Sequence, residues 1–412
     1  MSSLAILTSP ARSRACPLER VRQGKALLLI APLFLFLAVT FIMPLSGMMK
    51  LAVDDRETAA LLPRTLDALR DWDGNTLPAE AAFAALGADL ERARTERTVG
   101  TIGRRLNYDQ PGMRNLITKS ARKPVPTGTS SGASWKEHFT TLDPQWGQVA
   151  TWATLERARG PLTGLYLMTS LDLTHNAAGS IVRVPEGQSN YTSIFGRTLG
   201  ISLSVTVICL LLAFPVAQLM ASASPRITAL VMLLVLLPFW TSVLVRTTAW
   251  VVVLQGNGLV NRLLMEVGVI GEPLQMLYNR TGVLIALSHV LLPYMILPLY
   301  GAMRAVPPSQ MRAAASLGAG PVHAYLKVYL PQLLPGVAAG SLLVFILALG
   351  YYITPVLIGG PNDQLISYYI AFYTSGTINW GLAAALGMVL LLATLVLYRV
   401  YVGLVGAQRI GR

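Results

Sequence analysis

The sequence predicts an all-α membrane protein: six transmembrane helices, with an enlarged extracytoplasmic region after the first. Three observations predict this. With a mean hydropathy of +0.53, 53% hydrophobic residues and only 13% charged ones, the chain is too apolar for an ordinary soluble domain. Six stretches each supply the roughly 20 apolar residues that crossing a bilayer requires. Its net charge of +13 is also unevenly spread. Residues 50–190 hold 17 Lys/Arg against 16 Asp/Glu, so nearly all of the excess lies in or beside the apolar stretches. That is the pattern of membrane orientation, and no basic groove with interleaved aromatics suggests nucleic acid.

In chain order, residues 1–25 form a basic tail, 26–49 a first span, and 50–194 an extracytoplasmic region. Residues 195–405 form a five-helix core with spans at 195–221, 227–254, 282–303, 336–358 and 380–401. Residues 406–412 are a short tail. The first apolar run is longer than a signal-peptide core and has no evident cleavage site after it, so it is expected to stay as an anchor. Pro32, Pro44, Pro215, Pro238, Pro293, Pro298 and Pro355 fall in or near the spans. Proline in a lipid-embedded helix is tolerated where neighbouring helices satisfy the freed carbonyls, which favours a packed bundle.

Orientation follows from positive charge in the short loops. Arg12, Arg14, Arg20, Arg22 and Lys25 precede the first span, and Arg226 marks the connection between the second and third. Arg304, Arg312 and Lys327 mark the loop between the fourth and fifth, and Arg399, Arg409 and Arg412 close the chain. If the helices alternate, all of these lie on one side, which makes both termini cytoplasmic. Cys16 and Cys209 are far apart in different kinds of segment, so neither a disulfide nor a metal site is expected.

Within the outer region, residues 56–73 and 78–98 carry helix-forming composition. Residues 100–135, rich in Arg, Lys, Gly, Ser, Thr and Pro, read as loop. Trp146, Trp152, Leu155 and residues 165–171 offer a small core to residues 140–173, marginal for an independent domain. The region reads equally as a loosely folded cap or as a docking surface for an extracytoplasmic partner.

The most informative stretch is 307–336, PPSQMRAAASLGAGPVHAYLKVYLPQLLPG. Pro307 and Pro308 start a short helix with Ser309 as its cap. Its middle is Ala-rich, Gly318 and Gly320 supply a turn, Pro321 opens a second short helix and Pro331 closes it. This strongly resembles the EAA loop of permease subunits in ATP-binding-cassette importers, whose pattern is E-A-A-x-x-x-G followed at a set distance by I-x-L-P. Ala313, Ala314, Gly318, Leu330 and Pro331 stand at the matching positions, with Val328 at the isoleucine and Arg312 at the glutamate. The resemblance implies that the first short helix sits in a groove on a cytoplasmic ATPase and passes its closure to the membrane helices. The Arg312 substitution implies a partner with a different charge pattern at that point.

Residues 237–261, 292–308 and 335–361 resemble the spermidine/putrescine-type branch of the binding-protein-dependent transport permeases. The resemblance covers residues 26–49 and 192–405. It implies a type I ABC importer permease-like bundle in a bacterial inner membrane, with two ATPase copies and a second permease subunit. An extracytoplasmic substrate-binding protein and a polyamine or similar small organic cation as cargo complete the expectation. Related branches carry ferric iron, thiamine, sulfate or phosphonate, so the scaffold alone does not set the substrate.

An acidic residue beside an aromatic is often seen in that branch where this chain has Tyr351 and Tyr352, and no predicted span contains Asp or Glu. Tyrosine faces can still receive cations, at about 0.5–2 kcal/mol each. Arg246, Tyr294, Tyr351, Tyr352 and Thr354 are the candidate lining of a translocation pathway. Arg246 is read as snorkelling from the outer end of the third span, and His289 as a hydrogen-bonded packing residue. Trp240 and Trp250 are read as packing or interfacial-belt residues. No catalytic constellation, P-loop or metal-ligand pair occurs, so this chain is expected to be no enzyme and to bind no cofactor, with ATP and Mg used by the partner ATPase. The rival reading, a secondary transporter driven by an ion gradient, predicts intramembrane carboxylates and inverted repeats, and neither is evident.

Overall fold

The structure, a computed structural model, describes residues 28–123, 134–176, 179–185, 187 and 190–410. The basic N-terminal cluster from Arg12 to Lys25, Cys16 and Arg412 lie outside the described residues, as does the side chain of Arg409. Two compact units emerge, Met1–Lys50 and Leu51–Arg412. The first contains nearly all of α1 (Leu28–Leu51), a helix apolar on every side with a π-turn at Ala38–Ile42.

The second unit begins with the outer region, which is a helical domain. Its helices are α2 (Arg56–Leu61), α3 (Pro63–Ala68), α4 (Glu80–Thr95), α5 (Val99–Asp109), α6 (Met113–Arg122), α7 (Trp135–Leu142), α8 (Val149–Arg157) and α9 (Leu165–Ser170). The expected loop over residues 100–135 is therefore largely wrong. Composition hid two amphipathic helices: Ile102 and Leu106 of α5, and Met113, Leu116, Ile117 and Ala121 of α6, are buried at helical spacing while most of the basic residues face water. Gly112, at φ +96°, makes the turn between them.

The core is also larger than the stretch expected around 140–173. It runs from Leu62 to Ala158 and centres on Phe83, Phe139, Trp146 and Trp152. Each indole finds an acceptor: Trp146 Nε1 donates to Ser120 Oγ at 2.9 Å and Trp152 Nε1 to the Trp146 carbonyl at 3.0 Å. Residues 165–171 belong elsewhere. Leu171 is 45% exposed, while Tyr166 packs under the last membrane helix. A hairpin of β1 (Leu173–His175) and β2 (Ile181–Arg183) pairs Leu173 with Arg183 and His175 with Ile181, and leads back to the membrane helices.

Those helices are α10 (Tyr191–Ser222), α11 (Pro225–Leu236), α12 (Val243–Leu254), α13 (Leu259–Glu266) and α14 (Arg280–Ala305). A short hairpin of α15 (Pro308–Ser316) and α16 (Pro321–Ala324) follows, then α17 (Leu330–Gly350), α18 (Ile353–Ile358), α19 (Ile366–Ala371) and α20 (Trp380–Ile410). Among the described residues, six stretches are long and apolar enough to cross a membrane, including Leu28–Leu51. α10, α14 and α17 form the central bundle, and small residues bring them close. A Cβ on Gly336 would strike Ala302, and one on Gly340 would meet Met295 Sδ at 2.8 Å.

Two predicted spans are not single helices. The run at 227–254 breaks at Thr241–Ser242, where Pro238 has no N–H to continue the ladder and the Ser242 side chain caps a new helix by accepting from Leu244 N at 3.3 Å. The run at 336–358 belongs to a helix that starts well before it, with Leu330 as the first residue of α17 itself, and that ends at Gly350. Tyr351 is extended and Pro355 lies in the first turn of the short α18.

Candidate coupling hairpin and translocation pathway

The hairpin at 308–329 is ordered by its own backbone. α15 ends in a Schellman-type turn: Ala319 N–H reaches the Ala314 carbonyl and Gly318 N–H the Ala315 carbonyl, each at 3.0 Å. Gly318 sits at φ +85°, where an L side chain is strained. Gly320 is extended (φ −64°, ψ 159°), so only Gly318 needs glycine's backbone freedom. The cap expected from Ser309 is absent: Pro307 occupies the cap position and Ser309 is exposed one turn position inside the helix.

Pro331 does not close the second arm, which is the most consequential difference from expectation. α16 passes through a π-turn at Tyr325–Tyr329 straight into α17, so residues 321–350 form one continuous helix. Leu330 N–H bonds back to the Tyr325 carbonyl, and Gln332 Nε2 donates to the Val328 carbonyl at 2.7 Å. The wider turn accommodates proline's missing donor without ending the helix. Tyr329 OH donates to Gln218 Oε1 of α10 at 3.3 Å, tying the hairpin's base to the bundle.

Arg312, Ala313 and Gly318 are exposed, Leu330 and Pro331 are half-buried, and Ala314 is buried between the arms. Leu317 is 89% exposed at the apex and Val322 70% exposed beside it. A rigid knob with an apolar tip, fused to a membrane helix, is suited to receiving force from a soluble partner.

The candidate pathway residues gather at the two helix breaks. Arg246 is one turn into α12, where its guanidinium donates to the Pro238 carbonyl, to the Thr241 carbonyl at 3.0 Å and to Thr241 Oγ1 at 3.3 Å. It does not snorkel from a helix end; it satisfies the carbonyls that the break exposes. α12 packs against α18, and Thr247 Oγ1 meets Thr354 Oγ1 at 3.1 Å, both side chains fully buried. Thr354 is thus a strut between broken helices. Tyr294 stacks edge-on against Phe239 at 5.1 Å. Tyr351 is half-buried with its carbonyl accepting from Ser367 Oγ at 2.5 Å, and Tyr352 is 42% exposed.

Irregular backbone inside a bilayer is stable only where protein or a water-filled passage lines it, and the two breaks adjoin where α12 packs against α18. His289 accepts from Trp250 Nε1 at 3.1 Å, the packing role expected of both, whereas Trp240 is 78% exposed. Sequence reasoning missed the tyrosine-rich segment after the second break, where Tyr368, Tyr369 and Phe372 cluster. The only hint was the aromatic density of SYYIAFY.

A central bundle of α10, α14 and α17 flanked by interrupted helices, with an ordered hairpin running into α17, is the architecture of a polytopic membrane protein. Residues 213–409 match the family of binding-protein-dependent transport system inner membrane components. The chain is 35% identical over 217 residues to the spermidine/putrescine transport system permease protein PotB of Haemophilus influenzae, covering 50% of this chain and 76% of that protein. It is 34% identical over 244 residues to the inner membrane ABC transporter permease protein YdcU of Escherichia coli, covering 55% and 75% respectively. A chain of a solved bacterial alginate ABC transporter superposes with a TM-score of 0.42 at 20% identity, over 52% of this chain and 78% of that one. The chain belongs to the binding-protein-dependent transport system inner membrane component family and is a multi-pass membrane permease. The outer helical domain lies outside the matched residues.

Proposed function

We propose that this chain forms half of the translocation pathway of an ATP-driven importer for polyamines or closely related organic cations. Its likeness to PotB, which covers three-quarters of that protein, supports the substrate class. The observation that carries the mechanism is the unbroken helix from Pro321 through α17. A cytoplasmic ATPase pair grips the hairpin around Leu317, and its closure on ATP levers α17 against α10 and α14. The breaks at Thr241–Ser242 and Tyr351–Tyr352 then repack from inward-facing to outward-facing, a population shift between two arrangements. ATP and Mg are used by those two ATPase copies and not by this chain. A second permease supplies the other half of the passage, and an extracytoplasmic binding protein delivers the cargo. Both termini and residues 307–336 face the cytoplasm in this arrangement.

The test is uptake of labelled putrescine and spermidine in a host stripped of its own polyamine importers, expressing this chain with its genomic neighbours. Uptake that needs both this chain and the ATPase supports the reading. Robust uptake without the ATPase, or uptake only of an unrelated solute, contradicts it.

A further inference from the structure

The link between α12 and α14 carries a helix turned inside out. α13 has the sequence LVNRLLME, and Leu259, Leu263 and the C-cap residue Val267 recur four residues apart along one stripe. All three are exposed, whereas Asn261 on the opposite side is fully buried. That asparagine sets the rotation of the helix. Its Nδ2 donates to the carbonyls of Gln255 at 3.2 Å and Leu274 at 3.0 Å, and its Oδ1 accepts from Leu274 N–H at 2.9 Å. Leu254 before the helix and Met276 and Leu277 after it are buried together in one cluster. The outward stripe is therefore held in place from both ends and from behind.

A helix facing water would be turned the other way, with the asparagine out and the leucines in. An apolar stripe pointing outward calls for an apolar neighbour, and depth decides which. α14 has 26 residues. At 1.5 Å each it is about 39 Å long, close to the thickness of a bilayer with its headgroups, so its first turns lie at the membrane surface. Leu254 shares its cluster with Ala286 in the second turn of α14, which puts the end of α12 at that level. α13 begins beside it: a Cβ on Gly258 would collide with the Val252 and Val253 carbonyls in the last turn of α12. α12 also presents Leu244, Val245 and Val252 outward, so the stripe continues a lipid-facing surface. Arg262 and Glu266, exposed and four residues apart on the neighbouring flank, supply the polar side of an interfacial helix.

We propose that α13 is an interfacial anchor that binds the lipid surface at the end of the bundle where α14 begins. Leu259, Leu263 and Val267 lie among the acyl chains, and Arg262 and Glu266 lie at the headgroups. The anchor pins the C-terminal end of α12 at a fixed depth. It needs only a chain embedded in a membrane and stands whatever the cargo.

Nitroxide labels on single cysteines test this in the full chain, reconstituted in phosphatidylcholine nanodiscs. Cys16→Ser removes one of the chain's two thiols, and the other, Cys209, is buried. Labels are placed by Leu263→Cys, Val267→Cys and, on the polar flank, Arg262→Cys. All three side chains are exposed, so labelling spares the buried Asn261 and its bonds. At Leu263 and Val267, collisions with oxygen, which partitions into lipid, should exceed those with a water-soluble nickel chelate several-fold. The ratio should place both labels about 5–10 Å into the headgroup–acyl boundary and should reverse at Arg262. Labels at Leu263 and Val267 reached mainly by the nickel chelate would put the stripe in water, open to a soluble partner, and overturn the proposal. Labels shielded from both reagents would mean that a second copy or another protein covers the stripe, and would overturn it equally.

Discussion

Asp172 anchors the longest helix of the bundle from outside it. Its carboxylate accepts from the backbone N–H groups of Asn190 and Tyr191, each at 3.0 Å, and of Thr192 at 2.8 Å, and from Thr192 Oγ1 at 2.5 Å. These are the orphan donors at the start of α10, where a negative charge also meets the helix dipole favourably. Burial alone would raise the Asp172 pKa, but those hydrogen bonds outweigh it and hold the group below its ordinary value. A depressed carboxylate stabilises the fold fully above the ordinary value and loses that contribution as pH falls through the folded one. Asp172→Ala is expected to cost about 1–2 kcal/mol at pH 7. Thermal unfolding from pH 7 to pH 3 should show the gap between variant and parent closing as acid is added. A gap constant with pH would mean that the charge contributes nothing.

At the scale of the element, Gly318 and the π-turn carry the coupling argument. A Cβ at Gly318 meets nothing within 4 Å, so substitution there is penalised by backbone conformation and not by crowding. Gly318→Val is expected to cost about 1–2 kcal/mol locally and to lose most transport, whereas Gly318→Asn, which tolerates positive φ, keeps most of it. Uptake assays with membrane-insertion controls check the pair, and equal loss in both would point to a side-chain clash with the partner. The hairpin was legible because Gly, Pro and Ala punctuate it in a fixed order. Its continuity with α17 was not legible, because a proline normally reads as a helix stop and only the geometry of Tyr325–Tyr329 reveals the turn that accommodates Pro331. The helix breaks were missed for the opposite reason. Hydropathy runs smoothly across Thr241 and Tyr351, and the interruptions turn on Pro238 with the Ser242 cap and on the extended backbone of Tyr351, which an apolar average conceals.

At the scale of the molecule, the outer domain is seated firmly on the membrane helices. Its entry and exit strands are clamped where Asp55 N–H meets the Pro161 carbonyl at 3.1 Å and Thr163 N–H the Val53 carbonyl at 2.8 Å. Arg105 and Asp55 form a buried two-pronged ion pair beneath this clamp, with the Arg105 guanidinium 5.6 Å from the Tyr166 ring centre. Tyr166 in turn covers Gly381 at the start of α20 so closely that a Cβ there would strike its ring. Arg105→Met leaves Asp55 buried and unpaired, at an expected cost of about 3–5 kcal/mol, and adding Asp55→Leu should recover most of it. Chemical unfolding of the single and double variants measures this, and a double variant as weak as the single would contradict the pairing. Membrane class, hairpin and family were legible because they rest on long runs and fixed spacings. The outer domain was not, because its buried residues are scattered from Leu62 to Ala158 among basic and polar neighbours, and only their helical spacing reveals a core.

The central claim is that force enters at the hairpin and travels along an unbroken helix into α17. Inserting two glycines between Tyr329 and Leu330 cuts that helix without touching the surface offered to the ATPase. Co-purification of the ATPase should persist and substrate-stimulated ATP hydrolysis continue, while labelled putrescine uptake falls to background. Uptake at the parental rate in a chain carrying that insertion would contradict the claim directly.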